Sequence, residues 1–101
     1  MQLFPEELAF EWNTGNRDKN KTSHKVDWWE GEEVFFNYPL FTTVDTKHSE
    51  EEVRYFAFGH TNGNRLLTLV FTIREKKIRI ISARDMNKKE RAMYHEESTK
   101  I

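Results

Sequence analysis

Residues 54–84 alternate apolar and polar side chains through three runs joined by two short turns, and this pattern constrains the fold more than any other part of the chain. Arg54 to His60 (RYFAFGH) reads as a strand. Thr61-Asn62-Gly63-Asn64 follows, and Asn-Gly supplies the positive φ angles of a type I′ hairpin turn. Arg65 to Arg74 (RLLTLVFTIR) then runs back, with Leu67, Leu69, Phe71 and Ile73 on one face and Thr68 and Thr72 on the other. Glu75-Lys76 makes a second tight turn into Lys77 to Arg84 (KIRIISAR). The run of Ile78, Ile80 and Ile81 predicts that this strand is central and covered on both faces. Phe41 to Asp45 is a weaker strand before the meander.

Helices flank these strands. Asp27 with Glu30 three residues on reads as a variant capping box. Trp28, Gly31, Phe35 and Tyr38 then form one apolar stripe, which Pro39 ends. Asn87 with Glu90 opens a last helix through Arg91, Tyr94 and His95 in the same way. Asn13 to Lys25 holds almost nothing apolar and reads equally as a solvated helix or a basic loop. Ala9 to Trp12 alternates and predicts a short first strand, after a loose leader at residues 1–8. Residues 96–101 read as a flexible tail. The expected fold is α+β, a single domain over residues 1–101. It has an antiparallel sheet of about four strands, two N-terminal helices and one C-terminal helix. Helices on one sheet face leave the other for a partner.

Composition narrows the chemistry by exclusion. The chain has no cysteine, which removes disulfides, Cys-based zinc sites and a thiol nucleophile. No serine sits in a G-x-S-x-G elbow, and the glycines do not cluster into a phosphate loop. His24, His48, His60 and His95 show no metal-ligand spacing, so neither a metal nor another cofactor is expected. No apolar run is long enough to span a membrane, and none follows Met1, so a cytoplasmic location is expected. The net charge of −1 hides an asymmetry. Residues 1–52 hold 5 Lys/Arg against 12 Asp/Glu, net −7, and residues 53–101 hold 11 against 5, net +6. Such segregation predicts a polyanion-facing surface beside an acidic one, unless the fold interleaves the two halves.

What remains is a kit of cations with a few histidines: His48, Arg54, Arg79, Arg84 and Arg91, with Tyr94 one turn on. Arginine forks match phosphate oxygens, histidine moves protons near neutral pH, and an aromatic ring stacks on an unpaired base. Metal-free RNA cleavage needs a base for the 2′-hydroxyl, a cation for the phosphorane and an acid for the leaving 5′-oxygen. The same residues also fit a solvated loop histidine and arginines that pair with the acidic half. Arg79 and Arg84 fall on opposite faces of a regular strand, so they converge only if it ends or bulges near Ser82.

The residues in order resemble the BrnT family of bacterial type II toxins, a branch of the RelE-like ribonuclease superfamily. The resemblance begins at Phe10-Glu11-Trp12, continues through Asn20, His24, Val26 and Trp28, and takes in Glu30, Val34, Phe35 and Pro39. Asp45 and His48 match an Asp-x-x-His element, and Arg54, Phe56 and Gly59 match the next strand. Ile80-Ile81-Ser82-Ala83-Arg84, continued by Glu90-Arg91 and Tyr94, is the most specific piece. The chain departs from the family at Asn16 and Ser23, where lysines are usual, and at Lys25, where glycine is usual.

The resemblance implies a metal-independent endoribonuclease that inhibits translation and is neutralised by a cognate antitoxin in a hetero-oligomer, a heterotetramer being one form open to it, with operator DNA reached only through the antitoxin. By family position, His24, Glu30, His48, Arg54, Arg79 and Arg84 are the expected catalytic residues. Lys21, Lys25, Arg91 and Tyr94 are the expected RNA contacts. Glu50-Glu51-Glu52 beside this site repels RNA unless it points away, or else docks a basic antitoxin segment. The alternatives are a RelE-like module that has lost catalysis and binds antitoxin or RNA, and a generic single-stranded RNA binder.

Overall fold

A computed structural model describes Phe4, residues 7–12 and residues 14–101. The elements run α1 (Thr14–His24), α2 (Trp28–Val34), β1 (Phe41–Val44), β2 (Tyr55–His60), β3 (Leu66–Arg74), β4 (Lys77–Asp85) and α3 (Lys88–Ser98). The four strands form one antiparallel sheet in the order β1-β2-β3-β4. The expected α+β fold is therefore the observed one.

Alternation along β3 builds the core. Leu67, Leu69 and Phe71 are fully buried on one face, against Ala57 of β2 and Ile78, Ile80 and Ala83 of β4. Val26, Val34 and Phe35 from the α1–α2 layer close over them. Gly59 lets this layer approach, because a Cβ there would lie 2.6 Å from Cγ1 of Val34. The N-terminal segment also belongs to the core: Phe4 packs its ring 5.8 Å from Phe35 and 5.9 Å from Phe71. The leader expectation thus fails at Phe4 and Leu8, while residues 1–3, 5 and 6 lie outside the described residues. The expected first strand is a single parallel bridge, Phe10 to Ile78, with two backbone hydrogen bonds to β4.

Four further expectations are corrected. The central strands are β2 and β3 and not β4, because each of those two pairs on both sides. The turn after β2 is not type I′: Gly63 has no positive φ, and Asn64 takes the left-handed conformation at φ 65°. Arg65 then bonds back to Thr61, which is a three-residue loop ending in a bulge. The two-residue turn with both φ positive is Glu75-Lys76, at 51° and 63°. Helix α2 stops at Val34, so Tyr38 lies outside the stripe and is 76% exposed. Helix α3 continues to Ser98, so residues 96–98 are helical and not a frayed tail.

The segment from Asn13 resolves as a helix over residues 14–24, despite its polarity. Asn20 is buried, and its side-chain oxygen accepts from the Ala83 N–H at 3.1 Å, which ties α1 to β4. The helix ends in a Schellman motif: Val26 N–H bonds to Asn20 O, Lys25 N–H to Lys21 O, and Lys25 has φ 57°. Glycine is the residue that suits this position.

Candidate functional site

The register assigns each candidate to a face. Val70 pairs with Ser82 and Phe71 with Ile80, so Ile81 is an extra residue in β4. This bulge shifts the parity, and Arg79 beside Thr72 and Arg84 beside Thr68 now share the face opposite the α1–α2 layer. Continuing the β2–β3 register by one step puts Arg54 on the other side of Thr72, about 10 Å from Arg79 across two strand spacings. Phe56 and Phe58, with rings 6.1 Å apart, lie on this same face between the rows. The face is not bare: α3 crosses its far end through Glu90 and Tyr94.

Most of the arginines are already held. Glu90 takes two hydrogen bonds from Arg84, at 2.7 and 2.9 Å, while also capping α3 at Asn87. The hydrogen bond it donates to Glu90 raises the Arg84 guanidinium above its ordinary value, and the same bond, accepted from Arg84, holds the Glu90 carboxyl below its own. Arg79 lies 3.6 Å from Glu11, and Arg74 bonds to Glu52. The basic half of the chain thus interleaves with the acidic half, and the expected segregated patch does not form around these residues. Arg91 donates to the Met86 carbonyl at 2.8 Å.

Arg54 differs. Its guanidinium has no carboxylate partner among the described residues, and with His48 it lines a cleft of about 350 Å³ that also includes Lys47, Glu50, Glu51 and Glu52. The His48 Nδ1 lies 3.0 Å from Oδ2 of Asp45, whose side chain is 7% exposed while the imidazole is 63% exposed. The connecting loop is fixed by Ser49, whose hydroxyl donates to the Asp45 carbonyl at 2.6 Å and accepts from the Arg54 N–H at 2.9 Å.

The other candidates sit apart from this cleft. Glu30 accepts from the Asp27 N–H at 3.0 Å and from Arg65 at 3.1 Å. Lys21 pairs with Asp27, and His24 and Lys25 are exposed at the end of α1. These four belong to the helical layer across the sheet from His48 and Arg54. Tyr94, expected to stack on a base, is buried at 4% exposure. Its hydroxyl donates to the Pro39 carbonyl, and burial pushes it above the ordinary phenol value.

Sequence reasoning passed over two residues. Arg65 makes two bonds to Asp85, at 2.7 and 3.0 Å, and reaches Glu30 and the Lys25 carbonyl from the same guanidinium. The Asp85 bond lifts Arg65 far above its ordinary value, against burial. Asp45 was noted only as part of a spacing, although its burial marks it out. Among the described residues no group of three or more His, Asp or Glu side chains is placed to hold a metal, and no helix is long and apolar enough to cross a membrane.

Comparison with known proteins agrees with this architecture. The crystal structure of the Brucella abortus ribonuclease toxin, BrnT, is similar with a TM-score of 0.57 and 21% identity, over 81% of this chain and 100% of that one. No curated protein matches the chain. The family model described as ribonuclease toxin, BrnT, of type II toxin-antitoxin system matches residues 12–90. The fold and that match, which spans most of the sequence, agree: this chain belongs to the BrnT family of ribonuclease toxins of type II toxin–antitoxin systems.

Proposed function

We propose that the chain is a metal-independent endoribonuclease that cleaves single-stranded RNA at the cleft between His48 and Arg54, thereby inhibiting translation. The observation that carries this reading is Arg54: a partly buried arginine with no carboxylate partner among the described residues, beside the exposed imidazole of His48. An uncommitted guanidinium grips a phosphodiester and stabilises the charge that builds on it. His48 moves the proton. Arg79 stands on the same face across Thr72, and Phe56 and Phe58 offer rings to unpaired bases. Arg84, by contrast, shapes the site by holding α3 through Glu90.

The acidic lining supports a second reading. Glu52 is engaged by Arg74, but Glu50 and Glu51 carry charge toward the cleft that opposes a polyanion. A basic segment of a cognate antitoxin fits this rim, and in that role the chain binds its partner there whether or not it cleaves RNA. A hetero-oligomer with the antitoxin, and operator contact through the antitoxin alone, follow from the family and are part of this proposal.

Induction of the wild-type chain is expected to arrest growth, and the purified chain is expected to cut single-stranded RNA in EDTA. Co-expression of a basic partner encoded beside it should relieve the arrest. Cleavage lost in chelator contradicts the metal-free reading. Arrest unchanged by Arg54→Ala contradicts the assigned site.

A further inference from the structure

We infer that Asp45 is the positioning residue of this site: its buried carboxylate fixes the His48 ring with Nδ1–H turned inward and Nε2 presented to the cleft. The inference rests on the reading of His48 and Arg54 above and adds a residue to which that reading gives no role.

The backbone of this loop is fixed without the carboxylate. Asp45 N–H bonds to the Arg54 carbonyl at 2.8 Å, His48 N–H to the Asp45 carbonyl at 3.3 Å, and Ser49 clips Asp45 to Arg54. A neutral residue at position 45 would keep every one of these bonds. Yet an acid stands there at 6% exposure, where an ionised group bears a desolvation cost unless it is well partnered. The side-chain bond its carboxylate makes is to a ring that is itself mostly in water. Packing alone gives no reason to commit a buried carboxylate to an exposed imidazole. Orientation does: engaging Nδ1 selects the tautomer whose Nε2 lone pair is free to take a proton.

In cleavage, the 2′-oxygen bonds to phosphorus as the P–O5′ bond breaks. The 2′ proton passes to Nε2 of His48, and the departing 5′-oxygen takes a proton from solvent, leaving a 2′,3′-cyclic phosphate and a 5′-hydroxyl. Arg54 faces the phosphate, and the remaining charged groups lining the cleft with His48 are Lys47, Glu50, Glu51 and Glu52.

The test compares Asp45→Asn, His48→Ala and the double variant on a single-stranded RNA oligonucleotide, with ring ¹⁵N NMR of His48 in wild type and Asp45→Asn. Asp45→Asn is expected to lower kcat about 100-fold with KM changed less than about threefold, and the double variant to be no slower than His48→Ala. The NMR spectrum should show the Nδ1-protonated tautomer in wild type and lose it in Asp45→Asn. Wild-type kcat in Asp45→Asn, while His48→Ala is inactive, overturns the inference and leaves the site assignment standing. Full activity in His48→Ala overturns the proton-transfer reading itself. The ring shifts then still decide the positioning claim: identical spectra in the two proteins overturn it.

Discussion

Replacing Arg65 with alanine should be among the most destabilising surface changes in this fold. One guanidinium joins the end of β4, the start of α2 and the turn between α1 and α2. The Asp85 pair has good geometry, but Asp85 is 59% exposed, so solvent screening limits it to about 0.5 kcal/mol. The bond to Glu30, whose side chain is 19% exposed, adds about 1 kcal/mol. The bond to the Lys25 carbonyl adds about 1 kcal/mol. The loss is therefore about 2–3 kcal/mol, or a Tm lower by roughly 10–20 °C for a domain of this size. Arg65→Lys keeps the charge but not the fork, and should recover less than half. The pH dependence follows from Asp85, whose carboxyl Arg65 holds below its ordinary value of 3.8. A depressed folded value gives stability that is full above the unfolded value and is lost as the pH falls through the folded one. The gap between wild type and Arg65→Ala in urea unfolding should thus be full at pH 7 and shrink below about pH 4. A gap under about 0.5 kcal/mol at pH 7, or one unchanged in acid, refutes the argument.

Three further outcomes are expected. Glu75 and Lys76 both occupy left-handed backbone, so the double change Glu75→Asn with Lys76→Gly should raise stability by about 1–2 kcal/mol in chemical unfolding. Lys25→Gly relieves the same strain at the end of α1 and should gain about 0.5–1 kcal/mol, seen as a higher Tm. Arg84→Ala should cost about 1–2 kcal/mol by freeing Glu90, whereas Arg54→Ala should stay within about 0.5 kcal/mol of wild type, since no carboxylate among the described residues depends on it.

The meander was legible in the sequence because period-two alternation is a local signal. Strands β2, β3 and β4 lie within one residue of the runs read from it at either end. The capping residues Asp27 and Asn87 were legible for the same reason. The edge place of β4 was not: a run of isoleucines marks burial, and the bulge at Ile81 changes parity without any glycine to announce it. The turn chemistry misled in a related way, since Asn-Gly favours a left-handed pair but tertiary contacts put that conformation at Asn64 and at Glu75-Lys76 instead.

For the candidate site, residue type identified the arginines, but not which of them were already engaged. That depends on carboxylates distant in the chain: Glu11 for Arg79, Glu52 for Arg74 and Asp85 for Arg65. His48 and Arg54 emerged together because a short loop separates them. Arg65 was passed over because an arginine opening a strand reads as an exposed flank, and its partners lie 20 to 40 positions away.

Single-turnover cleavage of a short single-stranded RNA by Arg54→Ala tests the central claim most directly, with product ends analysed and the fold checked by Tm. The account predicts a wild-type Tm, a rate lower by about 100-fold or more, and cyclic phosphate ends from the wild-type enzyme in EDTA. A properly folded Arg54→Ala protein that cuts at the wild-type rate contradicts it.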